Sequence, residues 1–82
     1  MLHKIVLVEW EDSASWKGWR ERNNCKELLP AICFSAGFLV KSNKKCVGIS
    51  NSLGECTIGD TIVIPRSCIK KIKTLGRHND PI

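Results

Sequence analysis

Ten residues, Ala31-Ile32-Cys33-Phe34-Ser35-Ala36-Gly37-Phe38-Leu39-Val40, form a long strand-forming run with a glycine inside it. Phe34 and Phe38 share a parity, so in an extended chain they point to one face. Gly37 lies between them. A glycine within a strand pattern marks a bulge or a sharp bend, the device by which a small barrel turns its corners. The run therefore predicts a bent strand rather than a flat one.

Four further runs carry strand character. His3-Lys4-Ile5-Val6-Leu7-Val8-Glu9-Trp10 is crowded with β-branched residues and contains no breaker. It is apolar on both faces over residues 5–8, the pattern of a strand covered on both sides. Residues 46–50 and 61–64 are shorter strands. Residues 68–75 are a fifth strand, or a helical turn leading into one. Lys41-Ser42-Asn43-Lys44-Lys45 is a cationic hairpin loop in which Asn43 suits a positive φ. Residues 51–60 make a longer connection with Gly54 and Gly59. Residues 24–29 predict one helical turn, capped by Asn24, completed by Glu27 three residues on, and stopped before Pro30. Leu28 and Leu29 are expected to plug one end of the core. The chain thus reads as mainly β: a small five-stranded bent barrel with one short helical turn. The domain is expected over residues 1–76, with residues 77–82 a mobile tail.

At 82 residues the chain makes one domain. Chains this short bury a modest share of their surface and gain stability by assembling, so a homo-oligomer is expected. No apolar run approaches the roughly 20 residues of a membrane helix. The apolar start is too short for a signal peptide, and Glu9, Glu11 and Asp12 follow it at once. A cytoplasmic protein without a membrane partner is expected. The five cysteines, Cys25, Cys33, Cys46, Cys56 and Cys68, include no Cys-x-x-Cys pair and lie far in sequence from His3 and His78. Neither a zinc site nor disulfides follow, and the thiols are expected as small buried hydrophobes.

Catalysis finds little to work with. Glu9, Glu11 and Asp12 cluster at one strand end and read as a solvated acidic edge rather than a cation site. Cys25 pairs with a histidine only by coincidence of folding, and no Gly-rich phosphate loop is present. No enzyme, cofactor or metal is expected.

Binding finds more. The formal charge of +5 falls wholly on residues 31–82, since residues 1–30 balance their charges. A one-sided positive field favours an anionic nucleotide or nucleic acid. All three tryptophans lie within residues 10–20. Trp16 and Trp19 share a face if their segment turns helically, and Trp10 ends the first strand beside them. Such a cluster can stack a base. Arg20, Arg22 and Arg66 supply forked phosphate contacts, and Asp12 and Ser13 can hydrogen-bond a base or ribose edge.

Residues 59–69, Gly-Asp-Thr-Ile-Val-Ile-Pro-Arg-Ser-Cys-Ile, resemble the end of an SH3-type barrel, where a strand runs into a proline, a 3₁₀ turn and a last strand. They are also similar to the end of an Sm-type barrel. That resemblance implies an RNA-facing role for Arg66 in the tight turn and for Asn43, Lys44 and Lys45 in the loop. Ser67 stands where the Sm turn carries glycine, and the groove tyrosines of SH3 domains have no counterpart. The whole chain resembles small uncharacterised proteins of tailed bacteriophages through Trp10-Glu11-Asp12-Ser13, Gly18-Trp19, Gly37-Phe38-Leu39-Val40 and Ile64-Pro65-Arg66-Ser67-Cys68-Ile69-Lys70. This resemblance implies a protein made in the cytoplasm of an infected host. Three functions follow as expectations. The first is a non-catalytic protein that sequesters a phosphate-bearing nucleotide of antiviral defence, through Trp10, Asp12, Ser13, Trp16, Trp19, Arg20 and Arg66. The second is a nucleic-acid-binding Sm-like barrel using Lys44, Lys45, Arg66, Lys70, Lys71 and Lys73. The third is an inhibitor of a host protein through the tryptophans.

Overall fold

The computed structural model describes residues 2–13, 18–19 and 21–79. Five antiparallel strands form one sheet: β1 (Leu2–Asp12), β2 (Ala31–Ser42), β3 (Cys46–Ser50), β4 (Thr61–Pro65) and β5 (Ile69–Asn79), in the order β4-β3-β2-β1-β5. Two 3₁₀ turns, η1 (Arg22–Glu27) and η2 (Arg66–Cys68), complete the described elements. The mainly β architecture agrees with the sequence.

The sheet has to curl. In a flat sheet β4 and β5 would lie four spacings apart, about 19 Å. Only η2 joins them, and its four steps from Pro65 to Ile69 advance about 8 Å at the 3₁₀ rise. The two outermost strands are therefore drawn together at that end, with η2 lying against β1. Bulges help the sheet coil. Val40 is the extra residue between Leu39↔Ile49 and Lys41↔Gly48, and Lys70 and Leu75 are extra residues of β5 opposite β1. The pairings run β1–β2, β1–β5, β2–β3 and β3–β4, with none between β4 and β5. The sheet is curled and open, not closed as the barrel expectation required.

The inner face holds the core. Val6 and Val8 of β1, Val47 and Ile49 of β3 and Ile64 of β4 are buried, with Trp10, Leu39, Cys68, Ile69 and Ile72 packed against them. The outer face of β1 carries Ile5, Leu7, Glu9 and Glu11. Ile5 and Leu7 are half-buried there, so β1 is less fully covered on that side than its apolar run suggests.

Gly37 works by proximity rather than as a bulge. It stays in register with Val6, and the bulge comes three residues later. A β-carbon on Gly37 would stand 2.5 Å from both Ile49 Cγ2 and the Ser50 carbonyl oxygen, so β3 can cross this point only where a side chain is missing.

Several local expectations are corrected. η1 begins at Arg22 with Glu21 as its N-cap and no side-chain cap, which places Asn24 and Glu27 inside the turn. Leu29 is exposed rather than plugging the core. None of the five thiols is fully buried: Cys25 and Cys56 are exposed, and Cys33, Cys46 and Cys68 are half-buried and free. Asn43 does not take a positive φ. Its side chain accepts the amide protons of Lys45 at 2.8 Å and Cys46 at 2.9 Å, so a side-chain oxygen closes the hairpin. β5 continues through Asn79, paired with Leu2, so residues 77–79 are strand rather than tail. Residues 80–82 of that expected tail lie outside the described residues.

Candidate nucleic-acid interface

The tryptophan segment does not form one site among the described residues. Trp10 sits on the inner face, half-buried against the core, and its indole N–H donates to Ser35 Oγ at 3.0 Å. Register explains this, because Trp10 pairs with Cys33 on β2 and Ile69 on β5, and its even parity matches Val6 and Val8. Asp12 and Ser13 are exposed where β1 ends. Trp19 is fully exposed just after Gly18, whose φ of 84° suits glycine alone. Trp16 and Arg20 lie outside the described residues.

Arg66 is already engaged within the protein. Its Nε donates to the Asn43 carbonyl at 2.9 Å and its Nη2 to Ser42 Oγ at 2.8 Å. Its backbone N–H donates to the Lys45 carbonyl at 2.9 Å. These bonds tie η2 to the turn between β2 and β3, where Lys44 and Lys45 are exposed. Beyond η2 the chain enters β5 and meets Lys70 within four residues of Arg66. η2 thus links the turn that carries Lys44 and Lys45 to the start of β5.

Along β5 the lysines differ. Lys70 is the bulged residue and reaches Glu11, with Nζ 2.8 Å from Oε1. That hydrogen bond and then the charge of Glu11 raise the Lys70 pKa above its ordinary 10.5; desolvation opposes them, and the charge of Glu9 adds the least. A lysine raised in the folded state stabilises fully below the unfolded value, and the effect is lost as pH climbs through the folded one. At neutral pH Lys70 is therefore a paired, solvent-screened cation. Lys71 and Lys73 are exposed on the outer face, opposite Glu9 and Leu7.

The outer face carries a feature that residue-type reasoning passes over. Phe34 is 64% exposed although it lies within a strand. It is the register partner of Glu9, which is in turn the partner of Lys71. Phe34, Glu9, Leu7, Lys71 and Lys73 line a shallow depression of about 130 Å³. The signal in the sequence was parity: Phe34 shares a face with Ile32, Ala36 and Phe38, opposite to the face of Cys33 and Ser35. Which of those faces was the core depended on the register with β1.

A larger cleft of about 360 Å³ runs along β2, lined by Ser35, Ala36, Ile49, Asn51, Asp60, Thr61 and Ile62. It follows the edge of β2 that β3 leaves unpaired, since β2–β3 pairing starts at Phe38. Among the described residues that line it, the one ionisable group is the carboxylate of Asp60, which repels phosphate. Among the described residues no three His, Cys, Asp or Glu side chains gather to hold a metal, and no helix is long and apolar enough to cross a membrane. Comparison of the chain with protein-family models, with curated proteins and with solved structures gives no match.

Proposed function

We propose that this protein is a non-catalytic nucleic-acid-binding protein that works as a homo-oligomer and contacts the phosphate backbone with lysines of β5 and of the β2–β3 turn. The observation that carries the reading is the pair Lys71 and Lys73, exposed together on the outer face beside an exposed aromatic ring. The bonds from Arg66 to the turn support it, because they fix Lys44 and Lys45 at the end of the chain segment that leads into those lysines. The curl imposed by η2 supports a partly open SH3-like or Sm-like arrangement, with β4 and β5 drawn together at one end but unpaired. Nucleotide sequestration is less well supported: Trp10 is turned to the core and the fork of Arg66 is occupied.

The test is the salt dependence of binding to a labelled oligonucleotide, followed by fluorescence anisotropy. Affinity should fall linearly on a log–log plot. Replacing Lys71 and Lys73 together by Ala should reduce the slope by about 1.4 to 1.8, two phosphate contacts' worth. A flat salt response, or no binding at low salt, rules the reading out.

A further inference from the structure

We infer that the outer face of β1, β2 and β5 binds single-stranded nucleic acid, with Phe34 stacking on one base and Glu9 accepting a hydrogen bond from that base's exocyclic amino group. The inference rests on the nucleic-acid reading above and assigns it a strand class and a base preference.

A phenylalanine side chain on a strand ordinarily lies against other apolar groups. Phe34 does not: most of its surface is open to solvent. The residues around it suit a nucleotide better than an apolar partner. Leu7 floors the depression and Lys71 and Lys73 stand on its far side, across β1 from Phe34. The two lysines are two residues apart on one strand, about 6.6 Å, and the ring lies two strand spacings from them, about 9.6 Å. An aromatic ring set one nucleoside's breadth from a row of cations is the arrangement by which sheets hold unpaired bases. In a duplex the base faces are stacked on one another, so the ring of Phe34 would have nothing to stack on.

Glu9 sharpens this. A carboxylate in a phosphate-binding face repels the backbone, yet Glu9 lies between Phe34 and Lys71. An ionised carboxylate only accepts hydrogen bonds. Beside a stacked base it can accept from the amino group of cytosine, as acidic side chains do when reading cytosine elsewhere. Thymine presents a carbonyl oxygen at that position and is disfavoured by the same charge. Lys71, directly opposite, offsets the repulsion of the neighbouring phosphate. Glu11, the next outer residue of β1, is already held by Lys70.

The experiment measures anisotropy of labelled oligo-deoxycytidine, oligo-thymidine and a mixed-sequence duplex with the full chain at low salt. Single strands are expected to bind more tightly than the duplex, and deoxycytidine more tightly than thymidine. Phe34→Ala and Phe34→Leu should each weaken single-strand binding roughly 5- to 160-fold, the range of one lost base stack, with duplex binding changed less than about 2-fold. Leu keeps an apolar strand residue, so a loss in both variants is a loss of the ring rather than of the fold. Glu9→Gln should narrow the preference for deoxycytidine. If both Phe34 variants bind single strands like the wild type while Lys71→Ala/Lys73→Ala does not, the stacking inference is overturned and the nucleic-acid reading survives. Equal affinity for deoxycytidine and thymidine overturns the role given to Glu9. If Phe34→Ala changes only the mass of the assembly, the face is a protein contact and the inference is wrong. No binding to any of the three overturns the underlying reading as well.

Discussion

Asn43 Oδ1 accepts two backbone protons, from Lys45 and Cys46, within a single turn. The same residue's carbonyl accepts from Arg66 Nε. One side chain thus closes the β2–β3 hairpin, and its backbone anchors η2 to it. Removing the side chain would leave two amides to find water at the exposed turn. A hydrogen bond of this kind contributes about 1 kcal/mol net. Asn43→Ala is therefore predicted to lower stability by about 1 to 2 kcal/mol, read by urea unfolding. Asn43→Asp should retain most of it, because a carboxylate still accepts both protons. If the Ala and Asp variants are equally destabilised, the side-chain oxygen is not what closes the turn.

At the scale of elements, β2 decides the shape of the sheet. Its first part pairs with β1 up to Phe38, and its last part pairs with β3 from Phe38 onward. Gly37 stands where these partners change, with Ile49 and the Ser50 carbonyl closing over it. Gly37→Ala should cost at least the 1 to 3 kcal/mol typical of overpacking, because one of the two obstructing atoms is backbone and cannot swing aside. Gly76→Ala is the control. Its β-carbon would meet nothing within 4 Å, and its φ is not left-handed. It should shift stability by no more than about 0.5 kcal/mol. Equal effects at the two glycines would remove the close-approach account. The strands themselves were legible, since β-branched runs and turn residues are local signals. The bulge expected at Gly37 falls at Val40 instead, and the real demand on Gly37, close approach of β3, is a property of two strands that no local pattern carries. The cap of η1 was misplaced because Asn24 and Glu27 have capping chemistry wherever they stand, and the turn's start was set instead at Glu21. Lys71 and Lys73 could be named from charge alone. Phe34 could not be told from a core residue until the register with Glu9 fixed its face.

The whole molecule is drawn out to 58 × 21 × 20 Å, with a radius of gyration of 16.6 Å. A compact chain of this length would have about 12 Å. Among the described residues only Val6, Val8, Val47, Ile49 and Ile64 form its buried apolar core. Exposed apolar side chains remain in several places: Leu29 before β2, Ile32 and Phe34 on β2, Ile58 before β4, Ile62 and Val63 on β4, and Leu75 on β5. The two edges of the sheet are not equivalent. β5 carries Lys70, Lys71, Lys73 and Arg77, and edge cations discourage pairing with another chain. β4 reads Thr-Ile-Val-Ile-Pro, with no charge along it. Self-association is therefore predicted to use the β4 edge, and an edge that pairs with its own copy closes as a two-fold dimer. Such a dimer makes the melting temperature rise with protein concentration, because only the folded subunits associate. Val63 is largely exposed, so Val63→Lys should leave the subunit folded, bring the mass in light scattering down to one chain and abolish the concentration dependence. The same substitution should leave single-strand binding by Phe34 within about 2-fold of the wild type, since no residue of β4 lines the depression beside Phe34 and a 2-fold change is under 0.5 kcal/mol. A wild-type melting temperature independent of concentration would instead make the exposed flank of β4 an ordinary solvated edge.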